Sequence, residues 1–154
     1  MVSQLVDTRV VKEPVRFAGR KTLEVEGAST FLLWVCALCL TCCLVSAGKL
    51  RIGVKPGLQY DPVALHVQPG EKVELLFDNV DEMMHNFVLV SPGARMEIVE
   101  SAIALGADGP ARNYVPDSPD VLASTSVVLP GKKATIIFDA PAQEGEYPYV
   151  CTFP

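Results

Sequence analysis

Positive charge is in short supply. Lys and Arg number 13 against 18 Asp and Glu, a net charge of −5, so the chain lacks the basic footprint that a nucleic-acid partner requires. Histidine is scarcer still, with two in 154 residues, which leaves few candidates for proton transfer or metal ligation. No Ser sits in a G-x-S-x-G elbow, and the acidic residues near His85 read as ordinary turn residues, so hydrolase chemistry has no support. A Gly-rich phosphate cradle, an internal repeat and a linker long enough to separate a pair of domains are all missing. Charged residues are only 20% and hydrophobic ones 49%, which excludes both a disordered chain and a highly charged coiled coil. The length fits one ordinary domain plus a tail, not a multidomain enzyme.

Charge is also missing locally. Between Glu26 and Lys49 no residue is charged, and Phe31 to Val45 reads FLLWVCALCLTCCLV, which carries much of the positive mean hydropathy of +0.29. Length alone leaves a secretory signal core, a short transmembrane anchor and a buried helix in competition. Arg16, Arg20 and Lys21 before the run, and Val45-Ser46-Ala47 after it, favour export, with cleavage after Ala47. The chain thus divides into a tail over residues 1–27, a signal peptide or membrane anchor over 28–48, and a domain over 49–154. The tail mixes both charge signs and is long for a signal leader, and basic residues also follow the run at Lys49, Arg51 and Lys55. Orientation and cleavage therefore stay open. Cys36, Cys39, Cys42 and Cys43 have a spacing seen in iron–sulfur ligation, but inside an apolar run Cys behaves as a small hydrophobe, and that is the reading adopted. Lipid attachment at Cys42 or Cys43 is disfavoured, because Thr41 and Cys42 stand where a lipobox needs small residues.

From Lys49 onward, short runs separated by turn residues predict an all-β sandwich. Val63, Leu65 and Val67 alternate with Ala64, His66 and Gln68, Pro69-Gly70 turns the chain, and Val73, Leu75 and Phe77 alternate with Glu74, Leu76 and Asp78, predicting a half-buried hairpin. Further strands are expected over Asn86–Val90, over Val121–Leu129, along Ala134, Ile136 and Phe138, and over Tyr147–Cys151. Met96, Val99 and Ile103 repeat at helical spacing within Ala94–Leu105, and Gly106–Asp120 reads as a reconnecting loop.

A domain starting at Lys49 holds one cysteine, Cys151, and both histidines. His66 falls on the outward phase of its strand and reads as a surface residue. His85 opens an apolar strand directly after Met83-Met84, at a strand mouth where a side chain can reach a loop-lined pocket. Met84-His85-Asn86-Phe87-Val88-Leu89, Asn113-Tyr114-Val115-Pro116 and Gly145-Glu146-Tyr147-Pro148-Tyr149-Val150-Cys151-Thr152-Phe153-Pro154 together resemble the plastocyanin/azurin family of blue copper proteins, most of all its azurin members. The helix near Ala94 also matches the azurin-like flap.

The resemblance implies a cupredoxin-like Greek-key β-sandwich with one inserted helix, preceded here by the hydrophobic signal or anchor helix. It implies a type 1 copper cofactor with His85 and Cys151 as ligands, the carbonyl of Met84 as a weak axial contact, and Asn86 tying the two ligand loops together beside the sulfur. His₂Cys ligation with a weak axial thioether suits copper in both oxidation states. In the family, Gly-His and a spaced Met follow C-T-F-P, whereas this chain ends at Pro154. A second His and an axial Met are thus missing, and this chain is expected not to hold copper stably. The implied function is one-electron transfer between a redox donor and acceptor protein on the periplasmic or extracellular side of the membrane. No enzyme activity, small-molecule substrate or nucleic acid is implied, and the membrane is contacted through residues 28–48 if they are uncleaved. A copper-binding, copper-delivery or protein-interaction β-sandwich, and a non-functional gene fragment, are the alternatives.

Overall fold

The computed structural model describes residues 47–57 and 59–154, together with the backbone of residues 15–17. The strands are β1 (Val15–Phe17), β2 (Gly48–Lys55), β3 (Gln59–Asp61), β4 (His66–Val67), β5 (Lys72–Asn79), β6 (Val88–Val90), β7 (Val121–Ser124), β8 (Lys133–Asp139), β9 (Glu146–Tyr147) and β10 (Tyr149–Val150). One α-helix, α1 (Arg95–Ala104), is inserted between β6 and β7, and two short 3₁₀ turns follow it. Among the described residues no helix is long and apolar enough to cross a membrane. The apolar run Phe31–Val45, with its four cysteines, lies outside the described residues, as does most of the N-terminal tail.

One sheet has the order β3-β2-β5-β8, with β2 parallel to β5 and the other neighbours antiparallel. The opposing layer is built from two ladders, β4-β1-β9 and β10-β6-β7. Only Pro148 separates β9 from β10. The backbone of Val15–Phe17, inside the segment read as a tail, runs parallel to β4 and antiparallel to β9.

The alternation in the sequence translates into two faces. On β5, Val73, Leu75 and Phe77 are fully buried, and they pack with Ile52 and Val54 of β2 against Leu65, Val67, Phe87, Leu89, Tyr147 and Tyr149 of the other layer. Burying side chains of this size contributes about 1.5–3 kcal/mol each. β6 is buried on both faces, which explains its unbroken apolar run: Leu89 faces the core between the sheets, while Val88 and Val90 pack with Val150 against Ala94 and Ile98 of the helical insert. The helix is therefore a lid on the outer face of β6 and β10. On β8, Ala134, Ile136 and Phe138 are half-buried and alternate with exposed neighbours, as the sequence predicts.

The expected hairpin is not formed. Pro69-Gly70 does turn the chain, with Gly70 in the left-handed region at φ 70°, but β4 and β5 enter different sheets and do not pair. The turn carries the chain across the sandwich instead of back along it. Two further strands are shorter than expected: regular pairing of β6 begins at Val88, and β7 ends at Ser124, beyond which the bridge between His85 and Val128 continues the contact.

Cross-strand ion pairs line the four-stranded sheet. Asp78 is buried, yet its carboxylate accepts from Arg51 at 2.6 Å and Lys133 at 2.9 Å. The Lys133 ammonium, aided by Arg51 and opposed by burial, holds this carboxyl below its usual range. A carboxylate lowered in the folded state contributes stability that is present at neutral pH and is lost as pH falls through its folded pKa. Asp78→Asn is therefore expected to lower stability at pH 6 and to flatten the loss between pH 6 and strongly acidic solution. Urea midpoints measured across that range check this, and an unchanged acid slope would refute it.

Candidate metal centre

The site is built where two distant segments meet at one end of the sandwich. Asn79, the last residue of β5, is fully buried and folds the loop that follows. Its side-chain amide donates to the carbonyls of Met83 at 2.7 Å and Val128 at 2.8 Å, and its Oδ1 accepts from the Asp81 N–H at 3.1 Å. This closes residues 80–84 into a compact turn that delivers His85 to the bridge with Val128, where backbone bonds run both ways. The second segment is the exit of β10, where Val150 is clamped under the helix and Cys151 follows at once.

These segments bring His85 Nδ1 to 3.6 Å from Cys151 Sγ. His85 is 3% exposed and Cys151 is half-buried. With zinc's bond lengths as a reference for a first-row ion, about 2.0–2.1 Å to imidazole and about 2.3 Å to thiolate, donors at tetrahedral to trigonal angles lie about 3.5–3.8 Å apart. The donor pair therefore fits a shared first-row metal. Burial pushes the Cys151 thiol up, and the backbone N–H groups of Asn86 and Phe153, both aimed at the sulfur, pull it some of the way back. Without metal the sulfur is thus a thiol at neutral pH, and a metal must displace its proton.

Asn86 lies between the two segments. It is fully buried; its Nδ2 donates to the Asn113 carbonyl at 2.9 Å and to Thr152 Oγ1 at 2.8 Å, while its Oδ1 accepts from the Thr152 N–H at 2.8 Å. One side chain thereby ties together the His85 segment, the loop at Asn113 and the Cys151 segment. Asn113 and Tyr114 both adopt positive φ, 52° and 57°, and the Tyr114 ring meets Phe153 edge-on at 5.1 Å. Met84 lies beside His85 and is 37% exposed. His66 is exposed on β4, as expected. Among the described residues, no three His, Cys, Asp or Glu side chains cluster as a metal-holding group.

Two residues of the site escape the sequence reading. The Asp81 carboxylate lies 3.0 Å from His85 Nε2, with the two side chains 10% and 4% exposed. The acidic residues near His85 are therefore not all ordinary turn residues, a correction to the expectation. The His85 hydrogen bond holds the Asp81 carboxyl below its usual range, against burial and with help from the Glu82 N–H. The only sequence cue was the spacing of four. Tyr60 is the other: its hydroxyl donates to the Asn86 carbonyl at 2.7 Å, and its ring packs against Phe77, Phe87 and Tyr149. Burial holds its phenol well above its ordinary pKa.

Comparison with known proteins identifies the family. Auracyanin-A of Chloroflexus aurantiacus is 34% identical over 108 residues, 68% of this chain and 65% of the relative. Auracyanin-B of the same organism is 32% identical over 102 residues, 63% of this chain and 42% of the relative. The chain thus spans less than two thirds of the length of either curated relative. The solved structure of auracyanin A, described as a "blue" copper protein from that bacterium, superposes with a TM-score of 0.65 at 31% identity, covering 71% of this chain and 89% of that one. Residues 47–154 match the family of copper-binding proteins described as plastocyanin/azurin. The chain belongs to the plastocyanin/azurin family of copper-binding proteins, and its fold is the cupredoxin-like β-sandwich.

Proposed function

We propose that this chain is a one-electron carrier whose copper is held by His85 and Cys151. The observation that carries the reading is the 3.6 Å approach of His85 Nδ1 to Cys151 Sγ between two tied loops. When bound in a His₂Cys site, copper supplies a one-electron couple in a geometry acceptable to both oxidation states. The chain's own role is to keep the donors still. Asn86 pins both donor segments to one another, Tyr60 fixes the Asn86 backbone from inside the core, and the N–H groups of Asn86 and Phe153 stabilise negative charge on the sulfur. The carbonyl of Met84 would add a weak further contact to the copper. With His66 exposed on β4, the second imidazole of the set comes from outside these residues, and free imidazole can stand in for it. The uncharged run within residues 28–48 supports a place for the domain on the periplasmic or extracellular side, exchanging electrons with protein partners.

The test is a copper(II) titration of the full chain with and without imidazole. An intense visible thiolate-to-copper absorption is expected in the presence of imidazole and a weak one in its absence. Absence of that absorption under both conditions would overturn the proposal.

A further inference from the structure

We infer that Asp81 is a positioning residue for the metal site, fixing which nitrogen of His85 carries the proton and thereby keeping Nδ1 free to ligate. The inference deepens the copper reading and rests on it. An imidazole can ligate only through a bare nitrogen, so a neutral His must place its one proton on the other. Here Nδ1 faces the sulfur, and Nε2 faces Asp81 Oδ2 at 3.0 Å. A carboxylate only accepts, so Nε2 must be the donor and Nδ1 the bare nitrogen. Carboxylate–imidazole–metal triads of this kind orient the ring and raise its basicity toward the metal.

The setting of Asp81 shows how it is aimed. Its backbone N–H is held by Asn79 Oδ1, and its other carboxylate oxygen, Oδ1, accepts from the Glu82 N–H at 2.8 Å. The two oxygens thus have separate tasks: one builds the turn, and the other orients His85. Asn79 is in turn locked to Met83 and Val128. A contiguous hydrogen-bonded path therefore runs from the end of β5 to the His85 ring.

This division makes Asp81→Asn a selective test. Asparagine has one oxygen, and if it remains on the Glu82 N–H, its NH₂ faces His85 Nε2. An NH₂ only donates, so Nε2 becomes the acceptor and the proton moves to Nδ1, the ligating position. The turn survives while the ligand is set in the wrong tautomer, as occurs when the acid that orients a catalytic histidine is changed to its amide. A merely structural Asp81 would not produce this result.

Two readouts decide it. Two-bond proton–nitrogen NMR of the metal-free full chain should show His85 protonated at Nε2 in the wild type, at Nδ1 in Asp81→Asn, and as a mixture in Asp81→Ala, with His66 unchanged as the internal control. Copper(I) affinity, measured by competition with a chromogenic chelator, should fall about 10- to 100-fold in Asp81→Asn. An unchanged tautomer would overturn the inference, and so would an inverted tautomer with unchanged affinity. Should Asp81→Asn not fold, Asp81→Ala alone decides: a retained Nε2–H tautomer refutes the role, and a mixture supports it. Cys151→Ser separates this failure from failure of the copper reading. Wild-type copper(I) affinity in Cys151→Ser would refute the metal site itself, while the tautomer measurement needs no metal and would stand.

Discussion

Cys151→Ser is expected to abolish the visible absorption of the copper(II)–imidazole form while leaving the fold intact. The hydroxyl would occupy the place of the thiol at the exit of β10, and the N–H groups of Asn86 and Phe153 that reach the sulfur could bond an oxygen instead. The half-buried side chain shrinks by less than a methyl group, so a stability change of about 1 kcal/mol or less is expected. The colour, by contrast, arises from a thiolate bonded to copper, and an alcohol oxygen cannot supply it. His85→Ala is expected to weaken binding or open the site, because it removes a strong donor and leaves Asp81 Oδ2 without its partner. Absorption spectra and thermal melts on the same samples separate the two effects. Retained blue colour in Cys151→Ser would show that another side chain is the ligand.

The sequence exposed those regions of the fold whose physics is local. Ala134, Ile136 and Phe138 show the strand period, because β8 has one face on the core and one in water. The helix was legible over nearly its full length from the helical spacing of Met96, Val99 and Ile103, but the face that packs on the sheet is that of Ile98 and Ala102, while Met96 and Ile103 are exposed. Pro69-Gly70 announced a turn correctly but could not say which strand accepts the chain next, since pairing partners are chosen by the whole sandwich. The same limit applies to the site. His85 and Cys151 are 66 residues apart, and no spacing rule connects them; the motif resemblance did. Asp81 and Tyr60 have no motif of their own. Their roles follow from a loop folded by Asn79 and from a strand on the opposite sheet, which only the tertiary structure brings to His85 and Asn86.

Asn86→Ala is expected to cost about 2–5 kcal/mol, the upper end of the range for a single substitution, because it strands several buried partners together. The Thr152 N–H would lose its acceptor, and the Asn113 carbonyl and Thr152 Oγ1 would lose their donor. Alanine leaves a space lined by these polar groups, and only water entering it would recover some of the loss. The aspartate variant discriminates a specific network from mere filling of volume. Asp keeps one oxygen for the Thr152 N–H, but turns the other, an acceptor, toward the Asn113 carbonyl, which also accepts. The groups that Asn86 bonds among the described residues are neutral, so the new charge would be buried without a cation. Asn86→Asp should therefore be at least as destabilised as Asn86→Ala at neutral pH, despite its matching shape, and should recover on acidification as the carboxyl protonates and donates. Both variants should lose copper affinity less severely than Cys151→Ser, by about 10- to 100-fold, because the ligands themselves remain. Denaturant midpoints for the two variants at neutral and acidic pH provide the check. A cost below about 1 kcal/mol for Asn86→Ala would mean that the loops are held by their packing, through contacts such as Tyr114 on Phe153, and that the amide bridge is dispensable.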